Sequence, residues 1–289
     1  MKKYRPFIIG IILLFVLLQC GSNSYIENNS LLWKISGNNL QQPSFLFGTI
    51  HLIPKDDYFF TDTMKHCFDQ CDHLVLELDL GSFTMDDHKK LSAVSRLKNN
   101  KTLEDYVTKK EFKTITGYLK NNMKLNQEQI DNYLTYKPMF LIIKIISLSM
   151  GAITNYETAL MTRAKMNKME ISGLETIDEQ IEVLESLTME DQLEDIEKIE
   201  EAPEEFNKLI DCYKEQDLKG IEKLTLKKEV TSRIGPEFFE IRNKKWIPVI
   251  EELMQKESIF VACGSGHLVG DIGIISLLRE AGYTVTPVR

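Results

Sequence analysis

The sequence has little histidine, little cysteine and no surplus of positive charge. Lys and Arg number 35 against 43 Asp and Glu, a formal net charge of −8. No basic patch offers itself to a phosphate backbone, so nucleic acid is not an expected partner, and acidity of this size serves solubility. No low-complexity linker divides the chain after its first 30 residues, and 289 residues with 43% apolar content are ample for one large core. Long apolar runs are also missing. The run from Phe7 to Leu18 is too short to span a bilayer comfortably as a mature helix. "YKPMFLIIKIISLSM" (136–150) is no longer than about 15 residues and contains Lys144, which predicts a buried core helix. No feature specifies an oligomeric state.

The first apolar run has a different use. Lys2, Lys3 and Arg5 precede it, and it ends at Cys20-Gly21 followed by the polar stretch "SNSYIENNS". This has the layout of a signal peptide and resembles a bacterial lipoprotein signal, in which the cysteine becomes the lipidated first residue. Gln19 stands where that pattern has a small residue. The expectation is a leader over 1–19, a polar tether over 20–30, and a single domain over 31–289. The protein would be exported to the cell envelope and anchored to a membrane through Cys20.

An exported compartment permits disulfides. Cys67, Cys71, Cys212 and Cys263 remain after Cys20 is set aside, and sequence does not choose among their pairings. Cys67 and Cys71, one helical turn apart, are poor partners for each other because their Cβ atoms would lie too far apart.

Strand patterns cluster at the two ends. "LLWKIS" (31–36) and "SFLFGTI" (44–50) flank a turn rich in Gly, Asn and Pro and read as a hairpin. "HLVLELD" (73–79), "MEISG" (169–173), "SIFVACG" (258–264) and "YTVTPV" (283–288) complete the set. The middle reads as helical over 101–121, 136–150 and 176–213, with the glutamates of the last region on a solvated face. The expected class is α+β (mixed α/β): a central mixed sheet built from both ends of the chain, with a helical insertion over about 85–250.

Among the five histidines, two are presented alike. "FLFGTIHL" (45–52) runs from an apolar strand through Gly48 to His51, and "FVACGSGHL" (260–268) runs through Gly264 to His267. Glycine permits a sharp turn or a close approach, and ligands of open α/β sheets sit beyond the carboxyl ends of strands. If the two strands are neighbours, His51 and His267 emerge side by side and could hold a divalent metal. An anionic ligand would complete such a site. Alternation along 73–79 puts Val75, Glu77 and Asp79 on one face, and a carboxylate on a central strand must be paired or coordinated. The alternative is an edge strand whose Glu77 and Asp79 face water. Two histidines and a glutamate form a catalytic zinc set with an open position for water. Manganese and cobalt suit the same donors.

A further helix is expected from "GPEFFEIRNKKWIPVIEELMQK", with Pro236 in its first turn and Pro248 kinking or ending it. Phe239, Arg242, Asn243 and Trp246 share one face. The aromatics turn that face inward and carry Arg242 and Asn243 with them, where a buried Arg needs an anionic or carbonyl partner.

Together these stretches resemble the TraB/PrgY/GumN family, the group that includes the Tiki proteases. The resemblance covers about 31–289 in order: "LLWKISGNN", "PSFLFGTIHL", "LVLELD", "GLETIDEQIEVLESL" (173–187), "RNKKW" (242–246) and "GSGHLVGDIGIISLLREAGYTVTPV". It implies a fold related to the erythromycin-esterase and ChaN-like group and, for the Tiki branch, metal-dependent proteolysis of a peptide or protein substrate. Carried over by position, His51, His267 and Glu77 become metal ligands, and Arg242 and Asn243 the polar pair beside them. Glu175, Glu179 and Gln180 match the GLET–EQ motif without an assigned chemistry. Glu77 is open as ligand or as general base, and Arg242 with Asn243 is a candidate for stabilising an oxyanion.

Two other readings stand beside the hydrolase. One is a non-catalytic lipoprotein that holds a peptide, haem or metal at the same sheet edge; the other is a structural protein with inert histidines. "HCFDQCDH" (66–73) reads as a helix packed on the core, with His73 opening the next strand. His88 reads as exposed and Cys263 as a packed strand-end thiol.

Overall fold

Apolar runs from the two ends of the chain become neighbouring strands. In the computed structural model, the structure describes residues 29–196, 198–226 and 237–289. The expected leader, its Cys20 and the helix-opening Pro236 lie outside the described residues. β1 (Leu32–Ser36) and β2 (Ser44–Thr49) form the expected antiparallel hairpin, with Leu32 opposite Phe47. Its turn places Gly37, Asn38 and Asn39 at positive φ, which glycine and asparagine tolerate. β8 (Thr284–Val288) closes antiparallel on the other side of β1.

From β2 the sheet continues in parallel through β7 (Ile259–Gly264) and β4 (His73–Leu76) to an edge strand β6 (Glu170–Gly173), in the order β6-β4-β7-β2-β1-β8. This is the mixed α/β architecture expected. Two short strands, β3 (Ile53–Pro54) and β5 (Ile153–Thr154), pair separately and antiparallel.

All residues of β2 and β4 are buried, as a parallel strand covered on both faces requires. The chain leaves β4 at Leu76, before Glu77. Alternation along 73–79 therefore does not operate: there is no polar face, and Glu77 and Asp79 do not share a strand. Glu77 is buried, while Asp79 accepts a hydrogen bond from the Gly81 amide and caps a 3-10 turn.

Phe47, Phe68 and Phe260 pack edge to face or tilted at the centre of the main core, with Trp33 and Trp246 also buried. Each such side chain contributes roughly 1.5–3 kcal/mol through burial. A second apolar cluster, from Leu97 through Ile115, Leu119, Leu141 and Ile145 to Ile199, lies wholly within the helical insertion. Helix Pro138–Ser149 buries Leu141, Ile145 and Ile146 in one stripe and leaves Ile143 and Leu148 exposed. The region 176–213 divides into three helices, Ile177–Ser186, Met189–Ile196 and Ala202–Lys214. No helix among the described residues is long and apolar enough to cross a membrane.

Helix Arg242–Met254 follows a π-helical turn at Glu237–Ile241 and carries the expected inward face. Pro248 does not end it. Both Pro248 and Lys244 lie on its exposed side, so the carbonyl deprived of its donor faces water rather than the core.

Candidate active site

β2 and β7 are parallel neighbours in the register that pairs Gly48 with Cys263 and Thr49 with Gly264. Both GxxH turns therefore leave the sheet at the same carboxyl end. The second turn folds down onto the first. A Cβ on Gly48 would lie 3.1 Å from the Ser265 Cβ and 3.2 Å from the Ser265 Cα, so a side chain there would push the turns apart. Gly264 sits between the functional groups themselves. A Cβ there would meet Glu77 Oε1 at 3.3 Å and His51 Nε2 at 3.7 Å.

Glu77 follows β4, the strand on the other side of β7, and its carboxylate occupies the centre. Oε1 accepts the Gly264 amide hydrogen at 2.7 Å, and Oε2 accepts from Arg242 Nη2 at 2.6 Å. The Nε2 atoms of His51 and His267 each lie 4.0 Å from the same Oε1.

Both imidazoles are held by their other nitrogen. Asn243 Nδ2 donates to the carbonyls of His267 and Ile272, which leaves Asn243 Oδ1 to accept from His267 Nδ1 at 2.6 Å. His51 Nδ1 lies 2.9 Å from Glu157 Oε1, an anionic acceptor that also receives the Thr49 hydroxyl. Each ring thus donates its Nδ1 proton outward and turns Nε2 toward Glu77, the arrangement by which outer carboxylates and carbonyls orient metal-binding histidines. Glu157 is brought there by the β3–β5 ladder and by a helix, Tyr156–Asn167, capped at Asn155.

Arg242 closes the inner side. Nε and Nη2 bind Glu175 at 3.0 and 2.8 Å, Nη2 also binds Glu77, and Nη1 donates to the Phe238 carbonyl and to His267 Nε2, the latter at 3.0 Å. The guanidinium lies over Trp246, and Trp246 and Phe239 flank the His267 ring at 4.5 and 5.0 Å between centroids. The site is asymmetric: the His51 side chain is 65% exposed and that of His267 5%.

Charge follows this asymmetry. For His51, removal from water would lower the pKa. The Glu157 hydrogen bond and the charges of Glu77 and Glu157 outweigh it and push the ring up to about 9. His267 is pushed down to about 3 by burial, with Arg242 and His51 acting in the same direction. Burial would raise Glu77, but His267, His51, Arg242 and the Gly264 amide outweigh it and hold the carboxyl down to about 2. Because His267 is neutral at neutral pH, the cations that stabilise Glu77 there are Arg242 and His51. Burial raises Glu175 in spite of its bonds to Arg242.

The sequence-expected residues Gly48, His51, Glu77, Arg242, Asn243, Gly264 and His267 converge at one place. Glu157 was absent from that expectation, because its link to His51 is made only through tertiary strand pairing. Glu175, given by its motif without a chemistry, proves to be the partner of Arg242. Glu179 and Gln180 stay at the periphery: Glu179 closes a capping box with Thr176, and Gln180 donates to Glu175. A cavity of about 160 Å³ adjoins Arg242 and Glu175, walled by Leu174, Val183, Ile241 and Trp246.

Of the residues set aside, Cys67, Cys71, Cys212 and Cys263 are all free thiols. Burial raises Cys263 far above its ordinary range, which removes it as a nucleophile. His88 is exposed on helix Met85–Val94. One group of His and Glu side chains among the described residues brings three ligand atoms within 4.8 Å of one another: His73, Glu170 and Glu257, at the opposite end of the sheet.

Residues 31–287 match the TraB/PrgY/gumN family, and the chain belongs to that family. It is 23% identical to a metalloprotease TIKI homolog of Amphimedon queenslandica, over 96% of this chain and 66% of that protein. It is likewise 23% identical to metalloprotease TIKI2 of Danio rerio, over 90% of this chain and 61% of that protein. The chain thus spans somewhat less than two thirds of the length of these relatives. No solved structure matches it.

Proposed function

We propose that this chain is a metal-dependent hydrolase of peptide or protein substrates, exported and lipid-anchored through Cys20, with His51, His267 and Glu77 holding one divalent metal. The observation that carries the reading is the pair of imidazoles whose Nδ1 atoms are engaged by Glu157 and Asn243 while both Nε2 atoms lie 4.0 Å from one Glu77 oxygen. The donor set fits zinc, manganese or cobalt. Gly264 keeps the space between these donors open, since a Cβ would occupy it. When bound, such a metal supplies a water of lowered pKa and polarises a carbonyl.

The chain's own residues divide the remaining work. A carboxyl held down to about 2 is a weak base at neutral pH, so Glu77 serves as ligand and counter-charge rather than as proton acceptor. Glu175 and Glu77 fix the Arg242 fork, and the Nη1 hydrogen now spent on the His267 Nε2 lone pair would be released, once a metal takes that lone pair, to meet negative charge developing on a substrate oxygen. The His51 side borders solvent and admits the substrate backbone. The apolar wall next to Arg242 offers room for a substrate side chain.

One observation favours a second reading. Arg242 Nη1 occupies the lone pair of His267 that a metal would take. Binding of a peptide without catalysis at the same edge is consistent with that contact, whereas haem or a metal held there without catalysis would displace it or bind through His51.

Metal analysis by mass spectrometry, with a peptide-library digest, separates the two. The hydrolase reading expects one metal equivalent to be lost in both His51→Ala and His267→Ala with the circular dichroism unchanged. It also expects cleavage that a chelator abolishes and added zinc, manganese or cobalt restores. Unchanged metal content in both variants would sink it. A Soret band on haem titration that depends on the same histidines would support the second reading.

A further inference from the structure

β6, β4 and β7 are parallel, so their amino ends lie together at the edge of the sheet opposite the GxxH turns. The register sets His73 opposite Glu170 on one side and opposite Ile259 on the other, and Glu257 lies two residues before Ile259. Backbone hydrogen bonds tie the same three corners: Asp72 N donates to the Ser258 carbonyl at 2.9 Å, and Glu170 N to the Asp72 carbonyl at 3.2 Å. The juxtaposition of these side chains is therefore a consequence of the strand ladder and not of flexible surface groups.

We propose that His73, Glu170 and Glu257 form a second divalent transition-metal site, independent of the GxxH histidines. Their ligand atoms all lie within 4.8 Å of one another. His73 is 2% exposed and its ring is fixed at both nitrogens: Nδ1 lies 2.9 Å from Glu257 Oε1, and Nε2 lies 2.8 Å from Ser172 Oγ. A carboxylate can only accept, so without metal Nδ1 donates to Glu257 and the Ser172 hydroxyl donates to Nε2; an ion on Nδ1 displaces that proton, and Ser172 then turns to accept from Nε2 as an outer partner of the ligand.

Two carboxylates face this nitrogen, and among the described residues no lysine or arginine forms an ion pair with either. Glu170 forms no ion pair among the described residues, and Lys256, adjacent to Glu257 in sequence, pairs with Glu252 at 2.7 Å. A divalent ion supplies the missing positive charge. One imidazole and two carboxylates suit zinc, manganese(II) or cobalt(II) better than calcium or magnesium. Glu170 is exposed, so the ion enters from solvent. Glu77 lies four positions after His73, about 13 Å along an extended chain, so this ion takes no part in chemistry at the GxxH end. It ties the edge strand β6 to β4 and β7.

The test uses the full chain stripped of metal, titrated with zinc alone by calorimetry, with bound metal counted by mass spectrometry. Wild type is expected to bind two zinc ions per chain. A His51→Ala/His267→Ala variant is expected to keep one, with a zinc-dependent rise in melting temperature. Glu170→Gln/Glu257→Gln, isosteric changes at exposed or half-exposed positions, is expected to lose one equivalent or to weaken it at least tenfold, and the rise with it. If the histidine variant does not fold, the glutamine variant in the wild-type background decides alone. Two zinc ions bound with unchanged affinity by the glutamine variant overturn the proposal and leave His73 and Glu257 a structural pair. So does a folded histidine variant that binds none. A wild type that binds a single zinc, kept by the histidine variant and lost by the glutamine variant, supports the proposal while removing the metal from the hydrolase reading.

Discussion

The amide of Gly264 donates to Glu77 Oε1 at 2.7 Å, and a Cβ built on that glycine would stand 3.3 Å from the same oxygen. One residue thus both supplies a donor to the central carboxylate and keeps clear the space between it and the two histidines. Gly48, its counterpart in the first turn, meets only packing atoms of Ser265 and Leu268. Two glycines in equivalent sequence positions therefore have different tasks.

Alanine separates those tasks. Gly48→Ala forces a methyl group against the Ser265 backbone and is expected to destabilise the fold by about 1–3 kcal/mol, as overpacking does. Gly264→Ala meets a carboxylate and an imidazole at longer range. It is expected to cost about 1 kcal/mol or less in stability and to weaken metal binding at the GxxH site at least tenfold. Urea denaturation beside chelator competition checks both. Equal metal affinity in Gly264→Ala and wild type would show that the space does not hold the ion.

Glu157 and Asn243 are tested by their hold on the rings. Glu157→Gln keeps the shape but removes the charge facing His51 Nδ1, and loss of such an outer partner typically lowers metal affinity about 10–100-fold. Asn243→Ala leaves His267 Nδ1 and two backbone carbonyls without their buried partner, which is expected to cost about 1–3 kcal/mol as well. Imidazole nitrogen shifts by NMR read the tautomers directly. A neutral His267 ring that keeps Nδ1 protonated in Asn243→Ala would show that Asn243 does not set its tautomer, and unchanged metal affinity in Glu157→Gln would show the same of the Glu157 charge.

Arg242 neutralises two buried carboxylates. Removing one member of a buried ion pair typically costs about 3–5 kcal/mol because the other charge is stranded. Arg242→Met is expected to show that loss in the presence of a chelator, through Glu77 and Glu175 together, and a smaller loss in saturating zinc, which replaces the missing positive charge. Chemical denaturation under the two conditions measures the difference. The same loss under both would place the metal away from Glu77.

Much of this arrangement was legible before the structure. Gly48, His51, Gly264 and His267 stand out because a rare residue type follows two apolar strands at one spacing. Phe239, Arg242, Asn243 and Trp246 follow from helical periodicity. Glu77 was found by an argument that fails in detail: β4 ends at Leu76, and burial on both faces leaves no alternation to read. Its burial comes from the strands beside it. Glu157 carries no local signal, since the β3–β5 ladder that delivers it has two residues per strand. Glu170 and Glu257 were silent for a similar reason: an exposed or half-exposed glutamate beside a strand is ordinary until the register sets it against a buried histidine. Pro248 does not end its helix, which runs on to Met254: it lies on the exposed side, where water can serve the carbonyl that its missing amide leaves without a donor.

The pH response separates the two GxxH histidines. His51 is pushed up to about 9 and is protonated at neutral pH in the metal-free protein, while His267, pushed down to about 3, is neutral. A metal at His51 must displace one proton. Its apparent affinity is therefore expected to rise about tenfold per pH unit up to about pH 9 and then to level off. The sign for stability without metal follows from the same shifts. His51 is raised above its ordinary 6.5, so its contribution is fully present below that value and is lost as pH rises through about 9, muted by the exposure of its ring. Glu77 is depressed from 4.5, so its contribution is present above that value and is lost as pH falls through about 2. His267 is also depressed, and acid draws its contribution away between about 6.5 and 3. Zinc affinity measured by chelator competition between pH 6.5 and 8.5, in the Glu170→Gln/Glu257→Gln background, isolates the GxxH site. A slope near one, with its plateau moved to lower pH by Glu157→Gln, identifies His51 as the ligand that exchanges a proton for metal. A flat profile would show that His51 stays protonated and that the ion is held without it.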